Sequence, residues 1–432
     1  MSAPYPAPDR REFLKSSTLA AAGLIAPSLF VGGAVAQDAP SDALNVGVIG
    51  LGRGMAHVDT LLKGGKAKLS YVCDVDQLRL ERGMKTIEAK GAPAPTPVQD
   101  FRRLLDDPKL DAVFIATCNH WHAPATILAC AANKHVYVEK PGSHNAREGE
   151  LMVAAARKYK RTVQMGNQRR SYPAMIDTIA KLKDGAIGDI LYARCWYDSA
   201  RTTIGHGKPA PVPETLDYSL WQGPAPERPY VDNLVHYNWH WRWHWGGGEM
   251  ANNGIHTLDI ARWGLGVEYP TKVSFFGGRY HFDDDQETPD TATAVFHFGN
   301  KGCTWEGSSC HPRRPDKNGF VNFYGSEGSM HVEASGGHTI YDFSGKEISK
   351  APGKGNDLDH VGNFLECIRS GKTPNSEIEI GQKSTLLCHV ANISYKTGRV
   401  ISLDPETHQI TGDAEAAKLW EREYRPGWEP KV

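Results

Sequence analysis

The sequence predicts an α/β protein of two domains: a doubly wound parallel sheet at the N-terminal side, then an α/β domain with an open, largely antiparallel sheet. Three observations predict it. From Leu44 to Gly166 short β-rich runs alternate with helical patterns, the signature of βαβ units. The first run opens directly into a glycine turn and a helix, as parallel α/β domains begin. Between Lys272 and Tyr341 β patterns recur with glycine punctuation and no helical pattern between them, which reads as antiparallel strands.

The first segment is not part of either domain. Asp9-Arg10-Arg11-Glu12-Phe13-Leu14-Lys15 precedes a mildly apolar run from Leu19 to Ala36 that ends in the small tripeptide Ala34-Val35-Ala36. This is the layout of a twin-arginine signal, so residues 1–36 are expected to be cleaved near Ala36. The mature chain is then periplasmic or secreted, with the twin-arginine export machinery as a partner. Gly23, Pro27, Gly32 and Gly33 interrupt the run, against a stable membrane anchor, which needs about 20 predominantly apolar residues.

Residues 37–170 form the predicted dinucleotide domain. Its strands are read at Leu44 to Ile49, Lys68 to Cys73, Asp111 to Thr117, His135 to Val138 and Thr162 to Met165, with helices over Gln77 to Ala89 and Ala146 to Lys158. Residues 171–432 form the second domain. It starts with a helix around Met175 to Lys183 and an alternating strand from Asp189 to Ser199, followed by an irregular aromatic stretch to Trp245. Its β patterns are Phe275 to Tyr280, Ala292 to Phe298, Cys303 to Ser308, Phe320 to Tyr324 and Ser329 to Glu333. Helices over Asp357 to Arg369, Gly381 to Thr397 and Asp413 to Glu423 close the chain and can pack back on the first domain. An open sheet with a free edge favours a homo-oligomer.

Bulk properties exclude several classes. The net charge is −1 with no basic block beyond the signal, which speaks against nucleic acid and anionic membranes as partners. The 8 cysteines are scattered without a Cys-x-x-Cys pair, against a zinc ribbon or a disulfide scaffold; a single Cys303–Cys310 bridge is left open.

Gly50-Leu51-Gly52-Arg53-Gly54-Met55-Ala56 follows the first strand and opens a helix, so glycines let the backbone approach a pyrophosphate at a helix N-terminus. Met55 stands where a third glycine is usual. Asp74, at the end of the next strand, can bind the adenosine ribose hydroxyls and repels a 2′-phosphate. The expected cofactor is NAD, with NADP less favoured, in a Rossmann domain.

Further motifs follow in order: Ala116-Thr117-Cys118-Asn119-His120-Trp121-His122, then Val138-Glu139-Lys140-Pro141, then Gly246-Gly247-Gly248-Glu249 and Asn253-Gly254-Ile255-His256-Thr257-Leu258-Asp259. Together they resemble the Gfo/Idh/MocA family of oxidoreductases, whose usual substrates are sugars, inositols and their derivatives. The resemblance implies that Lys140 is catalytic beside the nicotinamide, that His256 is a general acid or base, and that Thr117, Asn119, His122, Glu139 and Asn167 join the cofactor site. Many relatives carry an aspartate where this chain has Asn252; an amide cannot take a proton, so Lys140 and His256 share that work or Asp259 assists from the next turn.

Between Tyr237 and Trp245 tryptophan alternates with polar residues: Trp239, Trp241, Trp243 and Trp245. Tyr237, Trp239 and Arg169, with Lys140, Asn252 and His256, make a candidate carbohydrate cleft; a core-packed strand face is the equal alternative. His236, His240 and His244 have zinc-like spacing, but no carboxylate joins them and no metal is expected. The function expected is sugar oxidation with a retained, recycled NAD(P). NAD-dependent glycoside hydrolysis or epimerisation is one alternative, and a non-catalytic sugar-binding protein another.

Overall fold

In the computed structural model, which describes residues 43–310 and 320–432, the described residues open on the first strand of a six-stranded parallel sheet. The twin-arginine segment and Ala36 lie outside the described residues. The elements run β1 (Leu44–Ile49), α1 (Gly54–Gly64), β2 (Ala67–Cys73), α2 (Gln77–Ala89), β3 (Thr96–Val98), α3 (Arg102–Leu105), β4 (Ala112–Ile115), α4 (Asn119–Ala131), β5 (His135–Val138), α5 (Ala146–Lys158) and β6 (Val163–Met165). Val46, Val48, Val113, Ile115, Val136 and Val138 are buried, as strands covered by helices on both faces require. Helix starts are fixed locally: the Asp76 carboxylate accepts from Leu78 N at 3.0 Å on α2, and Asn145 Oδ1 from Glu148 N at 2.9 Å on α5. The spatial order β3-β2-β1-β4-β5-β6 reverses between β1 and β4, which opens a crevice at their C-terminal ends.

The second part contains α6 (Pro173–Lys183), β7 (Ile190–Asp198), α7 (Tyr218–Gln222), α8 (Ile255–Leu265), β8 (Lys272–Gly278), β9 (Thr291–Phe298), β10 (Lys301–Ser308), β11 (Val321–Gly325), β12 (Ser329–Val332), β13 (His338–Tyr341), β14 (Glu347–Ala351), α9 (Asp357–Ser370), α10 (Ile378–Thr397), β15 (Ile401–Leu403), β16 (Ile410–Thr411) and α11 (Ala414–Lys418). Its 10-stranded sheet is antiparallel except where β7 and β10 run parallel. In β9 Ala292, Ala294, Phe296 and Phe298 face the helices while Thr293 and His297 face out. α8 packs on β7, β10 and β11, and α10 on β8. The other face is open, with Phe276 52% exposed and Arg194 stacked on Trp196.

Three details differ from the sequence reading. α11 ends at Lys418 rather than near Glu423, because tertiary bonds take over: Trp420 Nε1 donates to Glu150 at 2.9 Å and Trp420 O accepts from Arg147 N. Strands β13 to β16 were not visible as alternation. Cys303 is not paired with Cys310; its sulfur lies 3.8 Å from that of Cys195, and all cysteines are free thiols.

The closing helices join the two sheets. α9 packs on α1, with Phe364 edge-on to Phe114 at 5.6 Å, and α10 touches α5 and β6 as well as β8. At the junction Arg170 Nε donates to both oxygens of Asp259 at 2.9 and 2.8 Å, and Ser384 Oγ donates to the same carboxylate at 2.6 Å. Arg262 Nε donates to Ser384 Oγ at 2.9 Å, completing a buried network between the end of β6, α8 and α10. Asp259, expected to assist proton transfer, is consumed here and does not reach the cleft. Asp259→Ala would leave Arg170 and Arg262 buried without their carboxylate, and removing one partner of a buried pair costs about 3–5 kcal/mol. Urea denaturation followed by tryptophan fluorescence should show that loss; a loss below about 1 kcal/mol, the range of exposed pairs, would deny the network its structural role.

Candidate active site in the interdomain cleft

The turn after β1 is shaped for backbone approach. Gly50 has φ +87°, and a Cβ there would lie 2.5 Å from Ala116 O. Leu51 N and Asp76 N donate to the two oxygens of Asp74 at 2.8 and 3.0 Å, which anchors the acid at the edge of the turn. Burial pushes the Asp74 carboxyl up, and these hydrogen bonds oppose it. Arg79 stands beside it, close enough that a Cβ on Gly52 would meet its guanidinium at 2.8 Å. Gly54 and Met55, expected as cofactor contacts, are not in the cavity wall. Gly54 gives close packing instead, since a Cβ would press on Val48 at 2.9 Å, and Met55 packs in the apolar layer beneath α1.

A cavity of about 550 Å³ runs from Gly50, Gly52 and Asp74 to Lys140, Asn252 and His256. Asp74 and Lys140 follow strands three places apart in the sheet, roughly 14 Å at 4.8 Å per strand. Thr117, Asn119 and His122 line the middle. A glycine turn at a helix N-terminus, an acid at the ribose position and an elongated cavity fit a nicotinamide dinucleotide.

At the far end Glu139 accepts from Arg53 Nε at 3.0 Å and from His57 Nε2 at 2.9 Å. Burial disfavours its charge, but the His57 bond and the Arg53 and Lys140 charges hold its pKa well below the usual carboxylate range. Arg53 also donates to Asp357 at 2.9 Å, at the start of α9. With Glu139 so occupied, Lys140 Nζ turns to Asn252, donating to its backbone O at 2.8 Å and its Oδ1 at 3.2 Å. Burial lowers the Lys140 pKa against the pull of Glu139 and Glu249.

Asn252 sits in a π-helical turn, Met250–Gly254, that leads into α8. Such a turn carries one extra residue and recurs at functional sites. His256 lies one turn on; among the described residues its ring makes no hydrogen bond. Burial, with the charges of Arg169 and Lys140, keeps its pKa well below the ordinary value. His122 braces the loop, its Nδ1 2.6 Å from Pro141 O. Asn167 is buried but outside the wall, because Gly166 occupies the place against Glu139. Arg169 is also outside it: Nε donates to Ala334 O at 3.2 Å and the guanidinium stacks on Phe320, so it reaches the site only through its charge.

The aromatic stretch is not a strand, and its three histidines do not turn to a common point. Asn238–Trp241 forms a 3₁₀ turn, Trp241 and Trp245 are core, and Trp239 and Tyr237 join the cavity wall. His236, His240 and His244 have separate partners: Asp76 at 2.8 Å, Tyr237 O at 2.6 Å and Pro226 O at 2.7 Å. The stretch instead straps the cleft. Gln77 N donates to Thr215 O at 2.9 Å, Asp217 N to Val75 O at 3.0 Å, and Trp121 Nε1 to Leu220 O at 3.0 Å. Trp221 thereby enters the wall, where Arg79, Gln168 and Asp357 also stand, none of them announced by a motif, together with His236 and His240.

Two family models match the chain. Residues 44–167 match the NAD-binding Rossmann fold of the Gfo/Idh/MocA oxidoreductase family, and residues 196–430 match its C-terminal alpha/beta domain. A glycosyl hydrolase family 109 protein of Shewanella baltica is 27% identical over 209 residues, which is 44% of this chain and 45% of the relative. The chain therefore spans less than half the length of such curated relatives. The fold is shared with the aldose-aldose oxidoreductase of Caulobacter crescentus complexed with glycerol, at 20% identity and TM-score 0.65, over 84% of this chain and 100% of that one. It is also shared with the WlbA dehydrogenase of Bordetella pertussis in complex with NADH and UDP-GlcNAcA, at 18% identity and TM-score 0.64, over 84% of this chain and 99% of that one. With both domain models matched in order, and with the glycine turn, Glu139-Lys140-Pro141 and His256 converging on one cleft, the chain belongs to the Gfo/Idh/MocA oxidoreductase family.

Proposed function

We propose that the protein oxidises a carbinol group of a sugar or sugar derivative, using NAD in preference to NADP, with the dinucleotide retained in the cleft and recycled there. The observation that carries this reading is the meeting of Lys140, Asn252 and His256 in the cavity that also holds the Gly50 turn and Asp74. Bound there, the dinucleotide supplies hydride exchange with the carbinol carbon. Lys140, its charge disfavoured by burial, takes the hydroxyl proton or, when charged, holds the developing oxyanion. Asn252 orients Lys140 and takes no proton. His256, neutral near pH 7, is the second proton carrier within the cleft. Tyr237 and Trp239 offer aromatic faces to the C–H surfaces of the ring. Asp74 favours NAD, and the strap from Thr215 to Trp241 favours retention.

Twin-arginine export to the periplasm and assembly into a homo-oligomer through the open sheet face belong to the same proposal. The signal-like N-terminus supports the first and the exposed Phe276 and stacked Trp196 support the second. The family 109 relatives favour a second reading, in which oxidation is transient and the net result is glycoside cleavage or epimerisation. A purely sugar-binding role would leave the Lys140–Asn252 arrangement without use.

Mass spectrometry of ligand released from the purified protein should find NAD(H) near one per chain, and a sugar screen should then reduce the bound cofactor. An empty protein with no affinity for NAD or NADP would sink the proposal. Hydrolysed or epimerised product without net cofactor change would select the second reading.

Two substitutions examine the parts. Asn252→Asp places a carboxylate against Lys140, and an opposite charge favours the ammonium form, so the Lys140 pKa should rise by about one unit or more. Competitive acetylation of Lys140 across pH measures it, and an unchanged midpoint would show that Asn252 does not govern this lysine. Asp74→Ser removes a charged hydrogen-bond acceptor worth about 1.5–3 kcal/mol, so NAD should bind roughly 10- to 100-fold more weakly while NADP loses less. Fluorescence titration of the refolded apoprotein with each dinucleotide reads both changes.

A further inference from the structure

A second cavity, of about 520 Å³, lies on the other side of the tryptophan-rich segment and shares no wall residue with the dinucleotide cleft. Trp239 and His240 line the cleft, whereas Trp243 and His244 line this cavity. We propose that it is a second small-molecule site, built for a hydroxylated oxyanion: a sugar acid or a sugar phosphate.

The argument starts from charge. Arg228, Lys396 and Arg422 all border the cavity, and among the described residues none of them forms an ion pair with a carboxylate. The acids nearby compensate only in part, Glu148 acting on Arg422 and Glu287 on Lys396 without an ion pair. Glu227 is taken by Arg425 at 2.7 Å, while Glu421 and Glu423 are exposed at the rim. Arg422 spends Nη1 on His144 Nδ1 at 3.2 Å and on His244 O at 3.1 Å, and Nε on Glu423 O at 3.2 Å. Its Nη2 has no acceptor among the described residues. Lys396 Nζ rests over the Trp243 ring at 4.5 Å; loss of surrounding water, opposed by Glu287 and aided by Arg422, brings its pKa to about 8. Three cations with no carboxylate at ion-pair distance repel one another beyond what Glu148 and Glu287 offset, and an oxyanion relieves that repulsion while forming charge-assisted hydrogen bonds.

A second observation points to hydroxyl groups on the same ligand. Asn392 is only 8% exposed and lines the cavity; its Nδ2 donates to Gly247 O at 2.9 Å, while its Oδ1 has no partner. That bond fixes the amide orientation and leaves Oδ1, buried in the wall, as an unmet acceptor that a sugar hydroxyl reaching it would satisfy. The Trp243 face next to Lys396 suits a pyranose ring. The wall is also continuous with the catalytic loops, since His144 follows Lys140-Pro141-Gly142, Ser143 Oγ lies 2.9 Å from His389 Nε2, and Gly246-Gly247 lead into the turn that carries Asn252.

Calorimetric titration of the purified, NAD-saturated protein with gluconate, glucose phosphate and inorganic phosphate tests this. The expected result is saturable one-to-one binding of at least one hydroxylated probe, tighter than inorganic phosphate. It should weaken about tenfold or more in Lys396→Gln and in Arg228→Gln, whose side chains are exposed enough to spare the fold, and persist in Lys140→Ala. Gluconate binding alone assigns the site to a carboxylate, and glucose phosphate alone to a phosphate. Absence of saturable binding by all three probes, binding untouched by both cavity variants, or binding lost in Lys140→Ala would each overturn the proposal.

Discussion

The carboxylate of Asp259 is the constraint on which the active-site geometry rests. It lies in the interior, where an unpaired charge is prohibitive, and it survives only because Arg170 and Ser384 donate to it directly and Arg262 secures Ser384. Those partners come from the end of β6, from α10 and from α8 itself, so the carboxylate cannot be satisfied unless all three elements are in place. What such a buried network contributes is orientation more than net stability. It sets the rotation of α8, whose leading π turn carries Asn252 and whose first turn carries His256, against the loop after β5 that carries Lys140.

That orientation permits an unusual economy of charge. Glu139 would be the natural counter-ion of Lys140, but Arg53 and His57 already occupy it. Lys140 is left with two neutral oxygens from Asn252, which fix its direction without stabilising its charge as a carboxylate would. Burial then weighs against the ammonium form. The same low-dielectric pocket keeps His256 neutral. A site with a lysine able to lose its proton and a histidine already without one can accept a hydroxyl proton although position 252 carries an amide and not a carboxylate.

The sequence made the first half of this arrangement legible and left the second half obscure, for reasons that differ residue by residue. Gly50, Gly52, Asp74, Glu139 and Lys140 follow strands directly, and a parallel sheet carries strand ends to one crevice, so order along the chain translates into place. Gly54 and Met55 stand outside the cavity wall because α1 starts at Gly54 and turns them toward β1 and the apolar layer. Asp259 follows His256 by a single helical turn, and helical spacing alone admits it to the site; only the position of Arg170, far away in sequence, decides otherwise. Arg169 lost its place to a stacking contact with Phe320, equally remote. The alternating tryptophans imitate strand periodicity, yet Trp239 Nε1 donates to His236 O at 3.1 Å and the backbone curls into a 3₁₀ turn, a local choice that alternation does not reveal.

The strap formed by that segment bears on the proposed cycle. It crosses the adenosine side of the Rossmann domain, and two backbone bonds tie its start there, from Gln77 N to Thr215 O and from Asp217 N to Val75 O. His236 against Asp76 adds a side-chain tie beside Asp74, and Trp121 clasps the carbonyls of Leu220 and Trp221. A dinucleotide lying under this strap would leave only after several of these bonds break together, so the proposed retention would have the same origin as slow local unfolding. Slow exchange would be a handicap for an enzyme that draws on a pool of NAD. For one that returns its electrons to a second sugar, or to the same sugar, within the site, it is the property that keeps the cycle closed.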